Sequence, residues 1–110
     1  MKIKGSIVLI TGASSGIGAA TAKAMARKGG RVLLVARTQA ALEKIASEIT
    51  TSGGEARSYP VDLANPEAVD RVAQKIRAEV GTPDIIINNA GAGRWLFVEE
   101  TSPTEAVEMM

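Results

Sequence analysis

The feature that most constrains the fold is a regular alternation along the chain. Short runs of strand length are separated by longer stretches whose apolar residues recur with helical period. Residues 7–10, Ile-Val-Leu-Ile, form a buried strand by length and β-branching. Ile17, Ala20 and Ala24 then recur at i, i+3 and i+7, one face of a helix that runs to about Lys28 and ends at Gly29-Gly30. Residues 32–36 are a second buried strand. Leu42, Ile45 and Ile49 mark a second helix with Gly53-Gly54 as its stop, and residues 55–61 are a third strand. Asn65-Pro66-Glu67 opens a helix, with Asn65 as N-cap, Pro66 at the first helical position and Glu67 in the first turn. Val69, Val72, Ala73, Ile76 and Val80 give that helix the cleanest amphipathic stripe in the chain, and Gly81 and Pro83 close it. Residues 84–88 are a fourth strand. Ser102, Pro103 and Glu105 have the spacing of N-cap, N1 and N3 of a last helix, in which the sequence ends.

The order β-α-β-α-β-α-β-α predicts an α/β fold built on a doubly wound parallel sheet. The expected strand order is 3-2-1-4, with the first two helices on one face and the third on the other. The composition agrees. Hydrophobic residues make up 45% of the chain and aromatics only 3%, the aliphatic profile of buried parallel strands. The 110 residues fit one small domain or half of a larger one. The fourth strand contains Ile85-Ile86-Ile87, apolar on both faces, and forms an open edge in that order. An open apolar edge is a template for a second chain, so self-association is expected.

Several functions are excluded or disfavoured at once. A net charge of +1 gives no electrostatic case for a nucleic-acid or acidic-membrane partner. There is no Cys, hence no disulfide or thiolate chemistry, and no His, the commonest general base and metal ligand. No metal site is expected. The four-residue apolar run near the N-terminus falls short of the about 7–15 residues of a secretory core and the about 20 of a membrane span. A soluble cytoplasmic protein is the expectation.

The residues that carry chemistry cluster where strands end. The turn after the first strand is Gly12-x-x-x-Gly16-x-Gly18, between a strand and a helix. Glycines there permit a tight turn, close approach of a pyrophosphate and close helix–strand packing, while the helix N-terminus presents N–H groups to phosphate. A glycine-rich turn that holds nothing is the bland alternative, and its strand–turn–helix context speaks against it. At the end of the second strand, folds that prefer NAD place an acid about 20 residues past the glycines to bond the ribose 2′-hydroxyl. Here Arg37 stands nineteen residues after Gly18, followed by Thr38 and with no acid beside it. A guanidinium grips a 2′-phosphate bidentately, and Thr38 can add a bond, which points to NADP(H). The competing reading of Arg37 is a solvated strand end. Asp62 and Leu63 close the third strand, where Asp62 is either an acceptor for the adenine amino group or a loop Asp bonding its own backbone. Asn88-Asn89-Ala90-Gly91 ends the fourth strand, as a small-residue platform for a flat ligand or as a plain turn.

Taken together, Thr11-Gly12-Ala13-Ser14-Ser15-Gly16-Ile17-Gly18, Asp62 and Asn88-Asn89-Ala90-Gly91 resemble the short-chain dehydrogenase/reductase family, in order and spacing, over essentially the whole chain. The resemblance implies the N-terminal half of a Rossmann-like domain spanning residues 1–110. It implies that Gly12, Ser14, Ser15, Gly16, Ile17 and Gly18 line the phosphates, with Ile17 donating its backbone N–H to the pyrophosphate. By the same resemblance Arg37, with Thr38, takes the 2′-phosphate, and Asp62 with Leu63 holds adenine. Asn89, Ala90 and Gly91 contact the ribose and the nicotinamide side, and Thr11 bonds towards Asn88-Asn89. The family's chemistry rests on a Ser, a Tyr-x-x-x-Lys pair and an Asn downstream of the Asn-Asn-Ala-Gly motif. None of these carries over to residues 1–110. The single Tyr, Tyr59, is followed four places on by Leu63, not Lys, and Ser102 lies only eleven residues past Gly91.

The expected function is therefore the NADP(H)-binding portion of an oxidoreductase. The reaction moves a hydride between nicotinamide and a carbonyl or alcohol substrate. Residues 1–110 alone are expected to be inactive. The alternative is a non-catalytic nucleotide-binding fragment, from a truncated gene or an engineered piece. A methyltransferase with a similar sheet leaves Arg37 and the Asn-Asn-Ala-Gly run unexplained.

Overall fold

Aliphatic runs that are buried on both faces set the centre of the molecule. The computed structural model describes residues 3–14, 16–89 and, by their backbone, 105–108. Strands β1 (Ile7–Thr11), β2 (Arg31–Ala36), β3 (Glu55–Pro60) and β4 (Ile85–Asn88) alternate with helices α1 (Gly16–Arg27), α2 (Gln39–Thr51) and α3 (Pro66–Glu79). A further strand, β5 (Glu105–Glu108), completes a parallel sheet of order β3-β2-β1-β4-β5. The expected order 3-2-1-4 is present within it.

Side chains of a strand point alternately to the two faces, and the core divides accordingly. Val8, Ile10, Val32, Leu34, Ile85 and Ile87 face one side, under Ala22 of α1 and Leu42, Ile45 and Ile49 of α2. Leu9, Leu33, Val35 and Ile86 face the other, with Tyr59, Val61 and the α3 stripe of Val69, Ala73 and Ile76. Helices one and two thus share a face and α3 takes the opposite one, as the doubly wound pattern requires. β3 is the outer strand on its side and ends on Pro60, where the missing N–H costs least. α3 begins as expected, with the Asn65 side chain accepting from Ala68 N at 3.1 Å and Pro66 in the first turn.

Two expectations are corrected. The face of α1 that packs on the sheet is Gly18 and Ala22, with Ala19, Met25 and Ala26 beside them, not Ile17, Ala20 and Ala24. Ile17 is 54% exposed. Small residues let the helix axis approach the sheet, and that closeness outweighs burying one larger side chain in the first turn. The second correction concerns the C-terminal helix. Ser102 and Pro103 lie outside the described residues, and Glu105–Glu108 is strand, in register Ile85↔Glu105 to Asn88↔Glu108 against β4. Cap and first-turn signals each stabilise a helix by only about 1 kcal/mol and speak for its first turn alone. The edge of β4, by contrast, offers a full row of hydrogen-bonding groups. The open β4 edge on which self-association was expected is therefore paired.

Candidate functional site

β1 feeds α1 and then β2 to one side, whereas α3 carries the chain from β3 across to β4 on the other side of β1. The chain connections thus run in opposite directions from β1 and β4, so the C-terminal ends of these two strands are the switch point of the sheet. In doubly wound sheets ligands bind at such a switch point.

The three glycines of the first loop are there for different reasons. Gly12 and Gly16 adopt φ of 65° and 57°, the left-handed region that costs a residue with a Cβ about 1–2 kcal/mol. Gly18 has ordinary helical geometry but no room. A Cβ there would overlap the Gly12 carbonyl oxygen and stand 2.8 Å from Asn89 Nδ2. The first loop, the first turn of α1 and the loop after β4 are thus packed together at residue 18. The first turn of α1 contains no acidic residue, so its positive end is left uncompensated. Ile17 projects from that turn into solvent. Ser14 is half-buried beside it, and Ser15 lies outside the described residues.

The end of β4 is tied to the end of β1 by a buried pair. Thr11 and Asn88 are aligned in the parallel register, and both are buried. Thr11 Oγ1 donates to Asn88 Oδ1 at 2.8 Å and accepts from Asn89 N at 3.0 Å. One hydroxyl so fixes the side chain of one Asn and the backbone of the next. Ala90 and Gly91 lie outside the described residues.

At the ends of β2 and β3 the Arg37 side chain meets that of Asp62. Ala36 pairs with Pro60, and Val61 N continues the ladder to Ala36 O at 2.8 Å. Arg37 follows Ala36 directly, whereas Asp62 lies one residue beyond Val61, and the long Arg37 side chain reaches across so that its Nη2 stands 3.6 Å from Asp62 Oδ1. Asp62 Oδ1 also accepts from Ala64 N at 3.0 Å, so the local backbone role considered for Asp62 is real and the ion pair is added to it. Sequence reasoning missed this pair: adjacency of the second and third strands brings their ends together, but the register aligns Arg37 with Val61 and leaves the contact with Asp62 to side-chain reach. Thr38 is the N-cap of α2 in extended geometry, yet its side chain makes no cap hydrogen bond. Leu63 packs in part against the α3-side core.

Tyr59 stands apart from these loops. Its ring is buried in the α3-side core and its hydroxyl donates to Glu79 Oε1 at 3.0 Å. Burial first, and then the Glu79 carboxylate holding its proton, push the phenol above its ordinary value. A cleft of about 210 Å³ between α1 and α2 includes none of the expected site residues. It is bridged by the Lys23–Glu48 ion pair at 2.7 Å. None of the described helices is long and apolar enough to cross a membrane.

The sheet order and the loops at its switch point define a doubly wound α/β protein of Rossmann-like type. The chain belongs to the short-chain dehydrogenase family, an oxidoreductase family whose pattern it matches over residues 6–110. It is 51% identical over 89 residues to a fatty acyl-CoA reductase of Acinetobacter baylyi, covering 81% of this chain and 30% of that one. It is 50% identical over 92 residues to an uncharacterised oxidoreductase of Mycobacterium tuberculosis, covering 81% and 27%. The chain therefore spans less than a third of the length of these relatives. Among solved structures, L-sorbose reductase from Gluconobacter frateurii, complexed with NADPH and L-sorbose, matches with a TM-score of 0.76. Its identity is 39%, with 86% of this chain and 37% of that chain covered. A metagenomic short-chain oxidoreductase in complex with NADP matches with a TM-score of 0.78 at 40% identity, covering 84% and 42%.

Proposed function

We propose that this chain binds NADP(H) for an oxidoreductase that transfers a hydride between nicotinamide and a carbonyl or alcohol carbon. The carrying observation is Arg37. Its side chain is 78% exposed at the C-terminal end of β2, where NAD-preferring folds place an acid. The surroundings fit the cofactor. The uncompensated end of α1 suits a pyrophosphate, with Gly12, Gly16 and Gly18 letting backbone approach it and Ile17 N–H aimed along the helix axis. Arg37 takes the 2′-phosphate, and the uncommitted Thr38 hydroxyl is near enough in sequence to add a bond. Asp62 and Leu63 flank adenine, and Asn89, held by Thr11, positions the ribose and nicotinamide side. The nicotinamide supplies the hydride, and these residues supply binding and orientation. Ser14, Ser15, Ala90 and Gly91 join the same binding set.

Residues 1–110 contribute no acid–base pair to that reaction. They contain no Tyr-x-x-x-Lys, and Tyr59 spends its proton on Glu79 in the opposite core. These 110 residues alone do not turn over a panel of aldehydes and ketones while NADPH absorbance is followed. Turnover above buffer in a preparation free of host reductases refutes this. The cofactor reading is tested by titrating NADPH and NADH into the full-length protein and its Arg37→Asp variant. A charge-assisted bond contributes roughly 1.5–3 kcal/mol, about ten- to a hundredfold in affinity. NADPH binds more tightly by that factor and the preference collapses in the variant. Equal affinities in the parent, or an unchanged preference in the variant, overturn the reading.

A further inference from the structure

Arg37 and Asp62 leave adjacent parallel strands side by side, and the two are not equally free. Asp62 is fixed by its own turn: its Oδ1 accepts from Ala64 N and its carbonyl accepts from Asn65 N at 2.9 Å. Arg37 reaches it on a long side chain, 78% exposed against 47% for Asp62. At 3.6 Å the contact is an ion pair that a better anion can displace. We propose that Asp62 is a specificity-determining residue that competes with the cofactor 2′-phosphate for Arg37, and so limits the preference for NADPH over NADH. This inference rests on Arg37 being the 2′-phosphate residue.

Two effects act in the same direction. In the free protein one edge of the guanidinium is drawn to a carboxylate, and a phosphate must take that edge over. Once bound, the dianionic phosphate lies within a few ångströms of a fixed negative charge that Arg37 neutralises only in part. Neither effect opposes a ribose 2′-hydroxyl, which can donate to the same carboxylate. Asp62 therefore weakens NADPH relative to NADH. Any contact it makes to adenine is common to the two cofactors and cancels in their ratio.

Asp62→Asn isolates the charge. The amide oxygen still accepts from Ala64 N, the shape is kept and the carboxylate is gone. Fluorescence titration of the full chain with NADPH and with NADH gives the ratio of their dissociation constants. Screened by solvent, the exposed pair is worth about a two- to fivefold change, so the preference for NADPH rises by that factor in Asp62→Asn. In an Arg37→Ala background the same change has a smaller effect, because the competition has lost its object. An unchanged ratio overturns the inference. So does a fall, which would make Asp62 a residue that holds Arg37 in place for the phosphate. Should Asp62→Asn not fold, Asp62→Ser retains a turn acceptor and carries the same test. The underlying reading fails separately. If Arg37→Ala leaves the cofactor ratio of the parent untouched, Arg37 is not the phosphate residue. If that ratio collapses in Arg37→Ala but does not rise in Asp62→Asn, only the role of Asp62 is lost.

Discussion

Replacing Gly18 by Ala adds one methyl group at the point where three segments meet. The new Cβ would overlap the carbonyl oxygen of Gly12 and lie 2.8 Å from Asn89 Nδ2, where ordinary contact begins at 3.4 Å. The Gly12 oxygen is backbone and cannot rotate away, so α1 must lift off the loop or the loop must distort. Lifting α1 also loosens Ala22 over Val8 and Ile10. Overpacking of this kind costs about 1–3 kcal/mol, and a clash with backbone belongs at the upper end. Opposing it, Ala is favoured over Gly within a helix by up to about 1 kcal/mol. The clash wins, leaving a net loss of about 1–2 kcal/mol. Gly16→Ala is the control, since its Cβ meets nothing within 4 Å and its cost, from φ of 57°, is conformational alone. Urea unfolding of both variants reads the stabilities, and the side-chain amide resonance of Asn89 reports displacement. Both variants lose stability, but only Gly18→Ala moves the Asn89 signal. If Gly18→Ala is as stable as the parent and leaves Asn89 unmoved, the close approach does not exist.

Other outcomes follow from single contacts. Thr11→Val keeps the shape of a buried side chain but removes the bonds to Asn88 Oδ1 and Asn89 N; urea unfolding shows a loss of about 1–3 kcal/mol, and Thr11→Ser recovers part of it. The Tyr59 phenol is raised in the folded state, so the stability it contributes is fully present below the unfolded value of about 10 and is lost as pH rises through the higher folded value. As Tyr59 is the single Tyr, phenolate absorbance reads the titration directly, and Tyr59→Phe flattens the alkaline fall in stability. Self-association is expected through β5, the outermost strand on that side among the described residues; sedimentation velocity at micromolar concentration shows a concentration-dependent shift, and a sharp monomer boundary refutes it.

What the sequence made legible is what one period or one local turn decides. β1, β2 and β4 were readable because a parallel strand covered on both faces is aliphatic nearly throughout, whereas β3, on the outer side of the sheet, buries Tyr59 among polar residues. The stripe of α3 was readable because Val69, Ala73 and Ile76 are apolar at helical spacing among charged and polar neighbours. The face of α1 was not, because its contact surface is made of residues chosen for smallness. Gly18 and Ala22 bury little area, and Ile17 outweighs them in any count of hydrophobicity. The same physics hid the meaning of Gly18. Spacing shows a glycine, but only the position of Asn89, seventy-one residues later, shows what its missing Cβ would strike.

The C-terminal segment was misread for a related reason. Ser102, Pro103 and Glu105 are local helix signals, each worth about 1 kcal/mol or less, and they speak only for the first turn. The competing interaction is four consecutive register pairs with β4, whose residues are distant in sequence. A ladder that satisfies a row of backbone groups at an apolar strand outweighs signals that act on the first turn of a helix only. At the ends of β2 and β3 the legible and the hidden meet in one pair of residues. Arg37 and Asp62 each drew a role from its own strand end, the one from its charge and the other from its turn. Their contact belongs to neither segment. It exists because adjacent parallel strands end close together, and the Arg37 side chain is long enough to reach Asp62, one residue past its own register partner. On the proposed reading of Arg37 as the 2′-phosphate residue, the selectivity of the site is therefore set by two strand ends together and not by one.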